Sequence, residues 1–587
     1  MFKRTHTCGE LNSKDNIGDS ISLCGWISKS RDLGGLHFID LRDRYGKTQI
    51  VFNQDINKEA FELVKKLGLE DVIGIKGIVV ERPKDAVNKD LITGDIDVEV
   101  NDLYVFNESE PTPFDINKRQ SASEDHRLKY RYLELRTKEL QQNILIRHKA
   151  AIEVRNAMND QGFIEVETPI LMKSTPEGAR DFLVPSRLHR GRFYALPQSP
   201  QTYKQLLMVS GFDKYFQIVK CFRDEDFRSD RQPEFTQIDI EMSFVNQDDI
   251  IDLGTSLVKN IWEKVLDIKL PDKFQTLTYV ESMEQYGSDK PDLRFEMPLI
   301  EFSDYIHSSN FDTFKSILNN SGRVKAIRCP NATGYSRKVI DELTNWIKIY
   351  HQAKGLAWMK CVDGKLDGGI SKFFDDSLKD KIIKDLSIND DDILFVIGDS
   401  RNITLNALGA LRLELGKREN LIDTKSWAPL WIVDFPLVEW NDDNQRWDAL
   451  HHPFTSPNME DMDLLDENPG GVRSLGYDIV MNGYELGGGS IRIHDAELQA
   501  KIFKLLGVEK EEAEEKFGFL MNAFKYGAPP HGGMAFGLDR IIMLLTGSNQ
   551  IRDVIAFPKT TSAMSLMDNS PSKVDDDQLN DLGLKIK

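Results

Sequence analysis

The sequence is poor in cysteine and in positive charge, and it has no long apolar run. Its five cysteines lie far apart among 587 residues without a C-x-x-C pair, so we expect neither a disulfide framework nor a zinc site. Lys and Arg number 75 against 94 Asp and Glu, and the net charge of −19 excludes nucleic-acid binding by bulk charge, although not by a local basic face. No stretch approaches the roughly 18 apolar residues of a membrane helix, and none follows the basic start of the chain. We therefore expect an unexported, cytoplasmic protein.

Two common nucleotide-binding signatures are also missing. No G-x-x-x-x-G-K-[ST] phosphate loop occurs, and the glycines that begin at Gly487 do not form a G-x-G-x-x-G turn. Any ATP site must therefore be built in another way.

The length and the 40% hydrophobic content predict roughly three to five globular domains. Residues 1–105 contain short β-branched segments punctuated by glycine, with a helical interval at Lys58–Leu67. Several strands and one helix in this length are typical of a small closed barrel of the oligonucleotide-binding (OB) type.

The rest of the chain predicts an α+β organisation. Residues 106–139 are polar and proline-bearing, as in a hinge. A strong helix pattern from Leu140 to Asn159 opens the first half of a catalytic domain, 140–284, whose second half is 421–565. Between them, 285–420 predicts helices and strands, including Thr344–Tyr350 and Ile393–Ile397, without a chemical motif, as in an inserted domain. Residues 566–587 predict a surface tail.

The densest polar cluster, from Tyr215 to Phe244, predicts two strands around a charged loop. The second strand would have an apolar and a polar face, made by Ile238, Ile240, Met242 and Phe244 and by Gln237, Asp239 and Glu241. An ordinary hairpin with a solvated tip is the alternative. Arg223, at the end of the first strand, favours a phosphate site because a guanidinium fork matches phosphate oxygens.

A second cluster surrounds Asn482-Gly483, a strong signal for a two-residue hairpin. Such a turn pairs Val480 with Glu485 and makes Asp478 a diagonal neighbour of Glu485, about 7–8 Å away. Two carboxylates so placed can share one Mg²⁺ with phosphate oxygens, whereas a repelling surface pair is the alternative. The following glycines favour the metal site because they let a ligand approach the backbone.

A third cluster, from Gly532 to Gly547, predicts a glycine-rich strand and then an amphipathic helix. Asp539 could cap this helix. Arg540, in its first turn, opposes the helix dipole, so an anionic or aromatic ligand explains it better than helix stability does.

The helix and strand that end at Pro169, the hairpin with Arg223, and the strand and helix with Arg540 resemble motifs 1, 2 and 3 of the class II aminoacyl-tRNA synthetases. Four segments resemble the bacterial aspartyl branch of that family: Ser174–Phe182, Gln198–Gln205, Phe222–Gln237 and Ile551–Lys559. The resemblance covers the chain except the extreme tail. It implies an OB-fold anticodon-binding domain, an antiparallel-sheet catalytic domain and an inserted GAD-type domain at 285–420.

The resemblance implies two reactions and a homodimer. Aspartate and ATP would give aspartyl-adenylate and pyrophosphate, and the terminal adenosine of tRNA(Asp) would then take the aspartyl group. The dimer rests on motif 1 alone. Because an α-carboxylate with a pKa of about 3.5 is already ionised, activation needs alignment and charge neutralisation rather than a protein base.

The resemblance also assigns the nucleotide site. Arg223 would bind the α-phosphate, Arg540 the γ-phosphate and one adenine face, and Asp478 and Glu485 the Mg²⁺. Phe235 would stack on the other face, although core packing is the alternative for this ring. The rest of the ATP site would be Asp224, Glu225, Gln232, Gly537, Leu538 and Asp539.

For the amino acid, the resemblance puts Lys204 and Arg492 at the side-chain carboxylate with His451 nearby. Around the ammonium end it puts Glu177, Gln201 and Asp239, and it adds Ser199 and Arg223 to the aspartate-binding residues. A buried pair of cations without its anion costs several kcal/mol, so we expect rejection of the neutral amide asparagine. Taken alone, Lys204 could be a solvated lysine and His451 a loop residue.

In the barrel, the resemblance implies that Phe38 stacks on an anticodon base, Gln49 bonds to one and Arg31 holds the tRNA backbone. An inward core position is the alternative for Phe38. Leu33 favours strict pairing with tRNA(Asp), because relaxed family members often have His there.

Three rival functions remain open at this point. A relative that loads asparagine or lysine is the nearest, and a lysine site would place an acid where Arg492 stands. An enzyme that also charges tRNA(Asn) is the second. A catalytically silent tRNA-binding regulator on the same fold is the third. The presence of the metal residue Asp478 and of the expected catalytic residues Arg223, Glu485 and Arg540 argues against it.

Overall fold

The structure, a computed structural model, describes residues 2–11, 14–175, 179–225, 230–332 and 334–586. They form two compact units, residues 1–145 with 555–572 and residues 146–554 with 573–587. In the described part of the chain, no helix combines the length and apolar character needed to cross a membrane.

The first unit contains a closed five-stranded barrel. Its strands are β1 Ser20–Asp32, β2 Leu36–Arg42, β3 Lys47–Asn53, β4 Val72–Glu81 and β5 Ile96–Asn107, with helix α1 Lys58–Val64 after β3. The order around the barrel is β1-β2-β3-β5-β4, and only β3 and β5 pair in parallel. Strand β5 was not predicted, because acidic residues interrupt the run of apolar residues in its sequence. One of them, the mostly buried Asp97, is offset by Arg82 at 2.7 Å.

Alternation along each strand fills the barrel core. On β2, His37, Ile39 and Leu41 are buried, whereas Phe38, between His37 and Ile39, is only half-buried and faces away from the core. The inward alternative for Phe38 is therefore wrong. Because β5 continues to Asn107, barrel structure extends two residues past position 105.

Several short helices and one long helix follow the barrel. They are the 3₁₀ helix Ile116–Ser121, α2 Glu124–Lys129, α3 Arg131–Glu134 and the long α4 Lys138–Asp160, preceded near the start of the chain by the 3₁₀ helix Lys14–Asn16. Arg131 donates to the carbonyls of Ile555 and Ala556, at 2.8 and 2.9 Å, which ties 555–572 into this unit.

The second unit is built on an eight-stranded sheet. Its strands are β6 Ile164–Glu165, β9 Lys214–Phe222, β10 Glu234–Ser243, β11 Gln275–Thr278, β17 Pro429–Val433, β20 Gly476–Met481, β21 Tyr484–Ile491 and β22 His531–Gly537. The order is β11-β17-β20-β21-β22-β10-β9-β6, antiparallel except for the parallel pair at each edge. Two small hairpins complete its strands: β7 Leu183–Pro185 with β8 Phe193–Ala195, and β18 Val438–Asn441 with β19 Arg446–Ala449.

Helices surround this sheet. They are α5 Gln201–Val209, α6 Gln247–Leu266, α7 Tyr279–Tyr286, α13 Leu464–Glu467, α14 Ala496–Leu505, α15 Lys510–Phe524, α16 Leu538–Thr546 and α17 Asp576–Leu582, with 3₁₀ helices Met459–Asp461, Pro469–Gly471 and Ile551–Val554. The predicted tail thus contains a short helix.

The predicted hairpin around Arg223 forms from β9 and β10, with one difference in its apolar face. Ile238 and Ile240 are fully buried, but Phe244 lies beyond β10 at a φ of 59° and is 73% exposed. The strand predicted to end at Pro169 is present only as the two residues of β6.

The region 285–420 has its own sheet. Its strands are β12 Ile300–Glu301, β13 Arg323–Cys329, β14 Ala357–Val362, β15 Lys365–Asp367 and β16 Ile393–Asp399, in the antiparallel order β12-β13-β16-β14-β15. Its helices are α8 Ser303–His307, α9 Asp312–Asn319, α10 Arg337–His351, α11 Asp376–Asp385 and α12 Arg401–Arg418, with the 3₁₀ helix Ser371–Phe373. A buried apolar cluster lies on each face of this sheet. The helix and strand predicted here are present as α10 and β16.

Candidate active site

Two adjoining cavities open above the eight-stranded sheet. Their volumes are about 560 Å³ and about 170 Å³. Arg223, Gln237, Glu485 and Ala535 line both of them. A ligand in one cavity would therefore meet a ligand in the other beside Arg223 and Glu485.

The smaller cavity gathers most of the residues predicted for the nucleotide. Its walls include Arg223, Glu225, Gln232, Phe235, Glu485, Gly537, Asp539 and Arg540. The guanidinium carbon of Arg223 lies 5.1 Å from the centre of the Phe235 ring, so this ring faces the cavity rather than the core. Arg540 donates to the carbonyl of Glu485 and lies 3.5 Å from Asp230. The cavity walls thus combine three arginines, Arg223, Arg231 and Arg540, with one aromatic face, which suits a planar anionic ligand.

Two predicted nucleotide residues lie outside the walls of both cavities. The amide of Asp224 donates to the carbonyl of Arg180 at 3.1 Å, which places its backbone in an isolated bridge. Leu538 is buried at the start of α16.

Asp539 does not cap α16, contrary to the prediction. The N-cap is Gly537, and Asp539 lies inside the first turn. Its carboxylate accepts from Arg147 and from the backbone amide of Thr236, the latter at 2.7 Å. The residue thus fixes the start of α16 against β10 and α4, although it also borders the smaller cavity.

The inner end of the larger cavity is a network of four buried charges. Lys204 lies 3.1 Å from Asp239 and 3.3 Å from Glu241. Arg492 binds Glu241 through Nε at 3.0 Å and Nη2 at 3.2 Å, and it also donates to Ser490 Oγ and the carbonyl of Gly533. Because two cations meet two carboxylates, the network can be neutral without a ligand.

This pairing corrects the expectation of an uncompensated pair of cations. Glu241 supplies the missing negative charge. The sequence pattern predicted that it lies on the polar face of β10 but indicated no role for it. The signal in the sequence was the alternation of side chains along a strand, which puts Glu241 on the same face of β10 as Asp239. Lys204 still has three N–H groups for two ionic contacts, and Arg492 has five for four hydrogen bonds, so each retains a donor for a ligand.

Asp239 is the group of the network that is best placed to bind a cation. Burial raises its pKa to about 6, against the opposing effect of Lys204. Its Oδ1 has no hydrogen-bond partner among the described residues, although it is buried. Ser199 and Gln201 line the same cavity. An ammonium group would supply the partner that Oδ1 lacks.

The pKa values of Glu241 and His451 are both lowered, for different reasons. Although burial opposes it, Arg492 and then Lys204 lower the pKa of Glu241, which keeps it ionised. Burial lowers the pKa of His451 to about 4, so this imidazole is neutral at pH 7. Its ring packs edge-on against Phe435 at 4.4 Å, and its Nδ1 lies 3.8 Å from Asp478.

The hairpin of β20 and β21 differs from its predicted register. Val480 pairs with Glu485 as expected, but a bulge follows, and Asp478 pairs with Gly488. Burial and then the nearby charge of Glu485 raise the pKa of Asp478. A divalent cation between these carboxylates would relieve that repulsion, and a Cβ on Gly488 would lie only 2.2 Å from Asp478 Oδ1. The pair therefore fits a divalent cation by charge. No cluster of three or more potential metal-binding side chains occurs among the described residues.

The three predicted anticodon residues lie together on the barrel. Arg31 donates to Gln49 at 2.7 Å and to Asp40 at 3.1 Å, and its guanidinium lies 6.0 Å from the Phe38 ring. Leu33 is 71% exposed between β1 and β2. Glu177, predicted at the ammonium end, lies outside the described residues.

Comparison with known proteins gives concordant matches. The family model "tRNA synthetases class II (D, K and N)" matches residues 123–561, and the model "OB-fold nucleic acid binding domain" matches residues 21–106. An aspartate–tRNA(Asp/Asn) ligase of Caldanaerobacter subterraneus subsp. tengcongensis is 52% identical over 585 residues, which is 100% of this chain and 98% of that protein. An aspartate–tRNA ligase of Staphylococcus saprophyticus is 51% identical over 589 residues, 100% of each chain.

A solved structure shares the fold. It is asparaginyl-tRNA synthetase from Pyrococcus horikoshii complexed with asparaginyl-adenylate, which is 18% identical with a TM-score of 0.59. The match covers 95% of this chain and 99% of that one.

Proposed function

Because the chain belongs to the class II aminoacyl-tRNA synthetases, among the aspartate–tRNA ligases, we propose that its two cavities bind aspartate and ATP side by side. The activity is the ATP-dependent ligation of aspartate to tRNA through aspartyl-adenylate. The observation that supports the site assignment is the shared wall. Arg223 and Glu485 line both cavities, so they would lie where the α-carboxylate meets the α-phosphate.

In the smaller cavity, Arg223 and Arg540 would hold the triphosphate. Arg223 binds the α-phosphate, and Arg540 binds the γ-phosphate while lying against the adenine. Phe235 stacks on the other adenine face, with Glu225 and Gln232 beside it. The aspartate carboxylate is already ionised, so these residues act by aligning the reacting groups and by offsetting charge.

In the larger cavity, Arg492 and Lys204 would receive the side-chain carboxylate of aspartate. Each retains a donor after Asp239 and Glu241 have been satisfied, and Glu241 fixes the plane of the Arg492 guanidinium. Asp239, Ser199, Gln201 and Glu177 would hold the ammonium group. Asparagine would turn amide N–H groups toward these donors, and sites built for one hydrogen-bonding group reject such analogues by about 10⁴-fold.

Asp478 and Glu485 would hold Mg²⁺. When bound, the ion would offset the negative charge of the phosphate groups during activation. Gly488 leaves the space beside Asp478 open. The protein's own part is to keep the two carboxylates adjacent and the phosphate chain extended between Arg223 and Arg540.

Pyrophosphate exchange separates this assignment from that of a silent tRNA-binding regulator. We expect aspartate- and Mg²⁺-dependent exchange of pyrophosphate into ATP. We expect about 10²–10³-fold less in Arg223→Gln, because a donor aimed at transition-state charge is lost. Arg446→Gln, at an exposed pair on β19, is the control and should match wild type. Absence of exchange by the wild type contradicts the proposal, and so does full activity of Arg223→Gln.

The pKa of Asp239 predicts how aspartate binding depends on pH. Its pKa of about 6 lies above the ordinary value, so the carboxylate is ionised above pH 6 and becomes protonated as the pH falls below 6. Protonation removes the partner of the ammonium group. We expect the KM for aspartate to rise about eightfold from pH 6.5 to pH 5 in exchange assays, while the KM for ATP changes less.

Glu439→Gln is the matched control for this profile, since Glu439 lines the same cavity. It should keep the pH dependence, whereas Asp239→Asn should lose it. A KM for aspartate that stays constant down to pH 5 in the wild type would show that Asp239 does not bind the ammonium group.

The barrel would bind the anticodon of tRNA(Asp). Phe38 is available for stacking, and Arg31 and Gln49 form one polar cluster beside it. Stacking contributes about 1–3 kcal/mol per base, enough to matter for an acidic protein. The relatives include both an aspartate–tRNA(Asp/Asn) ligase and an aspartate–tRNA ligase at nearly equal identity, so identity alone does not choose between them.

We expect strict pairing, with tRNA(Asn) charged at least about tenfold more slowly than tRNA(Asp), a loss of about 1.4 kcal/mol. Leu33→His should narrow the gap, and Phe38→Ala should raise the KM for tRNA(Asp) without changing pyrophosphate exchange. The measurement is charging of both purified tRNAs. Comparable rates with the wild type would contradict strict pairing.

The chain would act as a homodimer through its motif 1 region. Ile164, Ile170 and Leu171 are each at least 50% exposed, which is unusual for neighbouring large apolar residues unless a partner covers them. Sedimentation equilibrium should give twice the chain mass of 67.1 kDa. Ile170→Asp with Leu171→Asp should halve that value. A single-chain mass for the wild type would exclude the dimer.

A further inference from the structure

The inserted region reaches into the larger cavity but not into the smaller one. Three of its residues, Asp289, Asn402 and Asn406, line the larger cavity. Among the described residues, the smaller cavity is lined only by positions 223–237, 485–487, 535–540 and 551. If the larger cavity holds aspartate, the insertion can affect the amino acid separately from ATP.

Asp289 belongs to a segment, residues 286–297, that we name the arm. The arm links the end of α7 to the inserted sheet. Its Ser288 carbonyl accepts from Ser282 Oγ on α7 at 2.6 Å. Asp289 is within electrostatic reach of Asp478, because its charge contributes to the raised pKa of that residue.

Arg412 of helix α12 holds the arm. It is 1% exposed, and it donates to the carbonyls of Asp292, Phe295, Glu296 and Met297, at 2.6 to 3.1 Å. Its guanidinium also lies 3.9 Å from the centre of the Phe295 ring and 4.9 Å from that of Tyr286. All of these groups belong to the arm. One desolvated cation thus fixes the path of the whole segment.

The arm and helix α12 also touch one helical turn before Arg412. Gly409 on α12 meets Gly287 so closely that a Cβ on Gly409 would lie 2.3 Å from the Gly287 carbonyl oxygen. Gly287 has a φ of 64°, which favours glycine as well. Helix α12 therefore presents Asn402 and Asn406 to the cavity with its first half and holds the arm with its second half.

We infer that Arg412 is a positioning residue of the amino-acid cavity: it fixes the arm, and with it Asp289, as the outer wall of the space that binds aspartate. The inference rests on the proposed function of the larger cavity. It gives the inserted region a role in amino-acid binding rather than in nucleotide binding. A loosened arm must be ordered again whenever aspartate binds, and that cost appears in the affinity for aspartate alone.

Two variants of the full chain test this role independently. Arg412→Lys keeps the charge but loses the planar fork, and Gly409→Ala displaces the arm without touching Arg412. For each we expect the KM and the calorimetric dissociation constant for aspartate to rise about 5–20-fold, with the KM for ATP within about twofold of wild type. The assays are pyrophosphate exchange and titration calorimetry.

Two matched controls accompany the variants. Arg418→Ala removes an exposed arginine at the end of the same helix, paired with Glu414 at 2.7 Å. Gly355→Ala adds a Cβ where nothing lies within 4 Å. Both should keep both KM values. If Arg412→Lys does not fold, Gly409→Ala still decides the question.

Three results would overturn the inference: an unchanged KM for aspartate, an equal rise of both KM values, or a fall in kcat alone. The second and third would indicate a general scaffold role. Failure of the proposed function would look different, because the wild type itself would then show no exchange and no calorimetric binding of aspartate.

Discussion

The network of four buried charges that joins β10 to α5 and to the end of β21 is the constraint on which the site depends. Lys204, Arg492, Asp239 and Glu241 are all nearly or fully buried, where each charge is stable only because the others are present. The neighbouring strands are shaped to admit it. A Cβ on Gly533, opposite Glu241, would lie 2.1 Å from a Glu241 carboxylate oxygen. The absence of a side chain at Gly533 on β22 is therefore required by the position of the Glu241 carboxylate.

This network also changes how selectivity arises. The cavity does not attract aspartate as a bare pair of cations would, because Glu241 and Asp239 already offset Lys204 and Arg492. In the proposed assignment, preorganised donors, held in direction by those carboxylates, would carry the recognition instead. His451 adds no charge at neutral pH, since its burial favours the neutral ring. The balance leaves Asp239 as the group whose ionisation is most sensitive to its surroundings.

Local patterns predicted much of this arrangement. Alternation indicated the β9–β10 hairpin, and Asn482-Gly483 indicated the β20–β21 turn, in which both residues have positive φ. The bulge after Glu485 was not predictable, because consecutive glycines permit several registers at similar cost. The partners of Asp539 lie 303 and 392 positions away, so a capping role was the only local interpretation. Contacts of this kind depend on tertiary packing, which a single sequence does not encode in its spacing.

The Asp539 carboxylate joins three segments that are remote in sequence. It accepts from Arg147 on the long helix α4 and from the amide of Thr236 on β10, while its own residue lies in the first turn of α16. Arg147 also donates to Thr236 Oγ1 at 3.0 Å, which closes a triangle. The next residue along α16 is Arg540, on the wall of the smaller cavity. A displacement of α4 would therefore be transmitted through a single side chain to the stretch of backbone from which Arg540 extends.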